Sequence, residues 1–347
     1  MLWAAQATHA QPAAPLAPPA GGVFRLRVVG GLAGLNQFTQ WEEPFWTREL
    51  QRLSGGRFDA QIVPFDRAGI PAAEMLKLLQ MGVLPLGTVL LSALSAQYPQ
   101  YMGVDLAGLN TDMASLSTHM AAFRPYLEQA LREQHGVKML AVYAYPAQVF
   151  FCSKPLRGLA DLAGRRIRVS SNTQADFVTA LGAVAVRTEF AQVAGAMARG
   201  ALDCAITGTS SGNTIGLHRT ASHLYTMPLT WGLAVFGANQ AAWDSLPPDL
   251  RALLQRELPR LEARIWSEAE RETATGIACS RGAAACPAAQ RGQMVVVPVS
   301  AQDELLRQKI LRTVVLPQWL RRCSVDCAQL WRQAMGLERA TALPVLP

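Results

Sequence analysis

No run in this sequence approaches the ~18 uncharged apolar residues of a membrane-crossing helix, so no helical span is expected and the chain is read as soluble. Charge is scarce too: only 16% of residues are Asp, Glu, Lys or Arg against 50% hydrophobic, a balance that excludes a disordered chain. Histidine is limited to His9, His119, His135, His218 and His223, which restricts triad chemistry. A Walker motif is missing. The glycines at 30, 31 and 34 do not fit G-x-G-x-x-G, and no acidic residue stands in the ribose position. No cysteine spacing matches a zinc site. The net charge of +7 is spread along the chain without a basic block, which argues against a nucleic-acid partner and favours small anions. No cofactor is expected.

What is present is length and alternation. A chain of 347 residues exceeds the ~250–300 at which one core stops growing, so two lobes are expected. Residues 1–22 carry no charged side chain. Their small residues ending at Ala10 resemble the end of an export signal without its basic start, and a Pro/Ala tether follows. The true start is expected upstream. Strand patterns at 26–29, 58–65, 86–91 and 138–145 alternate with helical ones at 36–53, 72–81 and 112–134, with Asn36 as a candidate cap for the first helix. After Pro146 the alternation restarts: strands at 149–152, 166–169, 184–186 and 202–207, the last ending in a Gly/Ser/Thr loop, with helices at 173–181 and 189–199. A strand from Trp231 to Ala238 returns to the first lobe, and Pro247-Pro248 start a long helix to about Thr273. A last strand at 295–299 precedes a helical stretch at 301–336 that Pro317 should interrupt.

Two cysteine pairs are candidate disulfides in an oxidising compartment: Cys279 with Cys286 around a Gly/Ala loop, and Cys323 with Cys327, four apart in a helical pattern. The second is the poorer candidate, because Cβ directions diverge within a helix. Cys152 and Cys204 lie in strand-like runs and are expected as free, buried small hydrophobes.

Gly208-Thr209-Ser210-Ser211-Gly212 fits the nucleophile-elbow pattern after a strand. A hydrolase would need an acid and then a histidine well downstream of Ser210, yet His218 and His223 follow within fourteen residues with no acid between. Glu42 and Glu43 are adjacent on a helix, point apart, and are read as a solvated face. Asp203 beside Cys204 has no base nearby to make a thiol site. Arg166 and Arg168 remain, on one face of a strand whose other face carries Ile167 and Val169. At the C-terminal end of a strand in an α/β lobe, Arg168 would offer its planar fork to a carboxylate.

Taken in order, these segments resemble the solute receptors of TRAP (tripartite ATP-independent periplasmic) transporters over about residues 25–335. The resemblance is carried by Phe151–Leu156, Leu159–Val169 with its Asp161-Leu162-Ala163-Gly164 turn, Ala180–Ala183 and Ala198–Asp203, with Ser54-Gly55-Gly56 and Leu246–Leu250 in support. It implies a two-lobed fold of the type II periplasmic binding protein kind, with mixed sheets covered by helices and a long helix spanning both lobes. Residues 1–22 would be the signal remnant and tether, 23–145 plus about 230–275 lobe I, and 146–229 plus about 276–347 lobe II with the C-terminal helices.

The resemblance further implies a periplasmic, exported, monomeric receptor that is not an enzyme, whose partners are a small organic acid and the importer's membrane subunits. Arg168 takes the carboxylate-clamping position. The chain departs from many relatives at Gln148, where they carry a second arginine, and at Thr207, where they carry asparagine. Neutral groups at both places suit a monocarboxylate, a 2-oxo or 2-hydroxy acid with an apolar or aromatic tail. Trp231, with Trp41, is the candidate wall for that tail, and Ser170 and Asn36 are candidate loop contacts. The alternatives are a serine hydrolase using Ser210, or the binding protein of an ATP-driven importer or sensor.

Overall fold

Leu26 and Val28 alternate with Arg25 and Arg27, so one side of the first strand, β1 (Phe24–Gly30), is buried and the other exposed. In the computed structural model, which describes residues 23–323 and 325–334, eleven strands form two mixed sheets. The expected signal remnant at 1–22 lies outside the described residues. The first sheet contains β1, β2 (Phe58–Pro64), β3 (Leu86–Leu90), β4 (Val137–Ala144) and β10 (Leu233–Asn239), in the order β2-β1-β3-β10-β4. The three early strands are parallel, and β10 runs antiparallel to both neighbours.

The second sheet contains β5 (Gln148–Cys152), β6 (Arg166–Val169), β7 (Val184–Arg187), β8 (Cys204–Gly208), β9 (His223–Thr230) and β11 (Val295–Val297). Its order is β11-β9-β5-β8-β6-β7, with β5 antiparallel to both β8 and β9. The chain therefore passes between sheets at residues 145–147 and returns at 231–232. Asp105 fixes the return by accepting from the amides of Trp231 (3.0 Å) and Gly232 (2.9 Å). Tyr145 N donates to Gly232 O at 3.0 Å and ties the two passages together.

The helix Pro248–Arg281 continues past the expected end near Thr273, stops at Gly282 in the left-handed region (φ 97°), and tolerates Pro259 within it. Its first half buries Leu250, Leu254, Leu258, Leu261 and Ile265. Because β4 ends its sheet, Val142 turns an unpaired amide and carbonyl outward. Glu262 accepts from Val142 N (2.9 Å) and Trp266 Nε1 donates to Val142 O (2.8 Å). The second half meets the other lobe: Glu272 O accepts from Ser210 Oγ (2.6 Å), and Thr273 Oγ1 accepts from Ala147 N (3.0 Å). At Gly276 a Cβ would stand 2.3 Å from Ser210 N, so only glycine permits that approach. The helix spans both lobes.

Several local expectations are corrected. Asn36 makes no capping bond, because its side chain is turned to Glu272. The Gly/Ser/Thr stretch after β8 is a helix, Thr209–Thr214, rather than a loop. Glu42 is fully buried rather than solvated, sharing a helix face with Phe38, Phe45 and Trp46, while Glu43 is exposed. It accepts from Gly31 N (2.8 Å) and from Thr88, serving a buried turn that has no strand partner. Pro317 does not break the C-terminal stretch. A π-helical turn, Leu311–Val315, absorbs it, and the break falls at Cys323, which is extended.

Three disulfides form: Cys152–Cys204, Cys279–Cys286 and Cys323–Cys327. The first corrects the expectation of two free thiols. β5 and β8 place Cys152 directly opposite Cys204, with Cα atoms 4.1 Å apart. The extended backbone at Cys323 removes the helical geometry that made the third unfavourable. The C-terminal helices also reach residues 99–103, since Trp319 Nε1 donates to Pro99 O and Trp331 Nε1 to Gly103 O.

Candidate functional site

β6 lies between β7 and β8, and Arg168 stands one residue before its C-terminal end. The side chain runs across the ends of both neighbours: Nε donates to Thr188 O (3.0 Å) and Nη1 to Ile206 O (2.7 Å). The guanidinium is thereby held in one orientation, and Nη2 has no hydrogen bond among the described residues. The residue is only 5% exposed and has no ion pair among the described residues. Burial, the largest cause, pushes its pKa down to about 10, with Arg187 acting in the same direction and Glu189 opposing. A desolvated cation of this kind is stabilised by an anion brought from outside. Arg166, on the same face, ends instead in solvent, where it holds Asp203 (Nε to Oδ2, 3.0 Å).

A cavity lies between the lobes beside Arg168. Gln148, Ser170 and Thr207 line it from the second lobe and Leu35, Leu90 and Tyr145 from the first. It opens into a wider cleft edged by Asp66, Arg187, Glu189 and Phe190. Four of the six sequence-predicted site residues, Arg168, Gln148, Ser170 and Thr207, are therefore brought to one space.

Trp231 is not among them. It is 3% exposed, and its indole donates to Asn110 O (3.2 Å) within the passage between lobes, so it serves the core there. Trp41 packs under Arg264 and does not line the cavity. Asn36 and Gln37 bind Glu272 in a separate recess. Leu35, Leu90, Phe190 and Leu233 supply the apolar wall instead.

Sequence reasoning missed Gln174, which is 1% exposed on the helix Asn172–Ala180. Ser171 caps that helix by accepting from Gln174 N (3.2 Å). The Gln174 side chain meets both Ser170 (Oε1 from N, 2.8 Å) and Gln148 (Nε2 to Oε1, 2.6 Å). The Ser171 cap placed three before it was the available signal. Arg187 was missed as well. From β7 it crosses to the first lobe, where Nη2 reaches Ser95 Oγ (3.2 Å), and Asn172 N donates to the same hydroxyl (3.2 Å). The lobes thus touch directly at the mouth of the cleft.

Burial pushes Asp105 up to about 6 and Glu42 up to about 7, in both cases against hydrogen bonds that favour the carboxylate. Tyr145, also raised chiefly by burial and then by the Glu42 charge, stays a neutral phenol at the cavity wall. Ser210 gives its hydroxyl to Glu272 O, and no histidine bonds it among the described residues. The elbow pattern therefore encodes a helix start packed on the long helix. No described helix is long and apolar enough to cross a membrane, and no cluster of metal-ligating side chains occurs among the described residues.

Curated protein sequences contain no match to the chain. Several solved structures share its fold. A Bordetella pertussis extracytoplasmic solute receptor binding pyroglutamic acid superposes with a TM-score of 0.80 at 22% identity, covering 90% of this chain and 100% of that one. A TRAP periplasmic solute-binding protein from Desulfovibrio salexigens with bound orotic acid gives 0.78 at 17%, covering 90% and 97%. One from Rhodoferax ferrireducens with bound malonate gives 0.75 at 19%, with the same coverages. The family described as "Bacterial extracellular solute-binding protein, family 7" (DctP) matches residues 37–279. With the two sheets, the long helix and the cavity between lobes, that match shows that the chain belongs to the DctP family of extracellular solute-binding proteins.

Proposed function

We propose that this protein is the periplasmic receptor of a TRAP importer, closing on a small monocarboxylate that it passes to the importer's membrane subunits. The observation that carries the reading is Arg168: a guanidinium 5% exposed, without an acidic partner among the described residues, at the wall of an interlobe cavity. Its remaining donors suit one carboxylate. Gln148 and Thr207 are neutral, so a second carboxylate in the cavity beside Arg168 would meet an amide and a hydroxyl rather than a second cation there. The apolar wall formed by Leu35, Leu90 and Phe190 suits a short hydrocarbon or ring.

Ligand contact on both lobes biases the chain toward closure, since only differential affinity for the closed arrangement shifts that equilibrium. A monomer suffices for this cycle, and no covalent step is required of it. Pyroglutamate, orotate and malonate, bound by the fold neighbours, head the compounds to test with 2-oxo and 2-hydroxy acids. Thermal shift of refolded, ligand-stripped protein is expected to respond to monocarboxylates; a response confined to succinate and malonate would refute the reading.

A further inference from the structure

We infer that Gln174 sets the hydrogen-bond polarity of the cavity wall at Gln148, so that the site presents a donor there and selects acids whose second polar atom is an acceptor oxygen. The inference rests on the carboxylate-receptor reading above. The two ends of a glutamine amide have the same shape and differ only in giving or taking a proton, so their partners decide which end faces a ligand. Here the decision starts from a group with no ambiguity. Ser170 N–H is a backbone donor, and it meets Gln174 Oε1 at 2.8 Å. Ser170 Oγ meets the same oxygen at 3.2 Å.

The oxygen of Gln174 is thereby pinned, and its amide nitrogen must point the other way. It donates to Gln148 Oε1 (2.6 Å) and to Thr230 Oγ1 (2.8 Å). Thr230 Oγ1 in turn donates to Gln148 Oε1 (2.9 Å), so that oxygen receives two donors. Gln148 Nε2 is left over, without a hydrogen bond among the described residues. It lies over Gly232, 2.6 Å from where a Cβ would stand. Gly232 lines the cavity and has φ +71°, a conformation that favours glycine. Gln174 is 1% and Thr230 3% exposed, which leaves solvent little chance to rewire the chain of bonds. One backbone amide thus dictates, through two side chains, that the ligand meets N–H rather than C=O at Gln148. A ligand without an acceptor there strands a partly buried donor, the kind of mismatch by which polar sites discriminate most strongly.

The test uses 3-oxocyclopentane-1-carboxylate and 3-hydroxycyclopentane-1-carboxylate, each with one carboxylate, in calorimetric titrations of the full chain. A ketone only accepts, whereas a hydroxyl does either. The wild type is expected to bind the two within about threefold of each other. In Gln174→Glu the introduced carboxylate still accepts from Ser170 but no longer donates to Gln148, whose amide then turns its nitrogen toward that carboxylate and its oxygen toward the cavity. The keto acid should weaken about tenfold or more relative to the hydroxy acid. The introduced charge affects both probes alike, so the ratio isolates polarity, and damage to the fold would not move it.

Gln148→Glu, whose outer oxygen only accepts, should shift the ratio in the same direction and decides the matter if Gln174→Glu does not fold. An unchanged ratio in the folded variant, or a wild type that prefers the hydroxy acid about tenfold, overturns the polarity assignment alone. A wild type that binds neither probe while answering another monocarboxylate in the thermal-shift screen overturns this inference alone; one that answers no acid overturns the receptor reading with it.

Discussion

Replacing Arg168 with alanine or methionine should remove most of the affinity for any carboxylic acid, and the size of the loss follows from the cost of keeping the cation in place. Burial depresses the guanidinium from its ordinary value to about 10. At about 1.36 kcal/mol per pH unit, this is a penalty of about 3 kcal/mol on the charged form. A ligand carboxylate that offsets the penalty gains a comparable amount, roughly two decades in Kd. That lies within the ~2–5 kcal/mol expected when one partner of a buried charge pair is truncated. Methionine keeps much of the side-chain volume while dropping the charge, and the carbonyls of Thr188 and Ile206 lose their donors in both variants. Two opposing effects therefore act on the empty protein: relief of a desolvated charge, and two carbonyls left without a partner, at about 1–3 kcal/mol each. The melting temperature without ligand should move modestly while binding falls steeply. Calorimetry on refolded protein with the best acid from the screen measures the first quantity, and thermal denaturation the second. Arg168→Met binding within about threefold of the parent would refute the reasoning outright.

Other expectations are independent of the ligand. Glu42 has a folded pKa raised from 4.5 to about 7, so its contribution to stability is present below the unfolded value and lost as pH rises through about 7. Urea unfolding of Glu42→Gln at pH 5 and pH 8 should show the wild-type decline reduced by about 3 kcal/mol, with Asp105 leaving a smaller slope of the same sign. Arg187→Ala removes the contacts to Ser92 and Ser95 across the cleft and should speed ligand release about three- to tenfold in stopped-flow measurements, at an unchanged association rate. Cys152 and Cys204 are 52 residues apart, so the Cys152→Ala/Cys204→Ala pair should lose about 2–4 kcal/mol of stability in denaturant titrations, less any residual structure in the unfolded chain.

Legibility in the sequence followed the range of the interactions. The alternation of Leu26 and Val28 with arginines, the turn before Arg166 and the prolines at 247 and 248 are local signals, and the elements they mark formed where expected. The place of Arg168 near the end of its strand was legible because strand alternation is a local rule. Asn36 and Trp231 misled because their residue types suit a cleft, while their fate was settled by Glu272 and Asn110, 236 and 121 positions away. The cross-strand disulfide needed the β5–β8 register, which no spacing encodes. Glu42 looked like a solvated residue because acidic side chains usually are. Its burial answers the amide of Gly31, a need visible only once the turn is folded. Gln174 escaped notice because an amide bonded at both ends within the fold has the same letters as one in water.

Asp105 gathers the amides of Trp231 and Gly232, and Gly232 returns its carbonyl to Tyr145. The outgoing and returning passages are thereby riveted side by side, with the long helix as a third connection between the lobes. A machine with two free joints could tilt, slide and twist independently, and a guest held at one wall would say little about the other. Passages tied to each other have fewer independent motions than separate ones, so a substitution at Asp105 is expected to loosen both passages together.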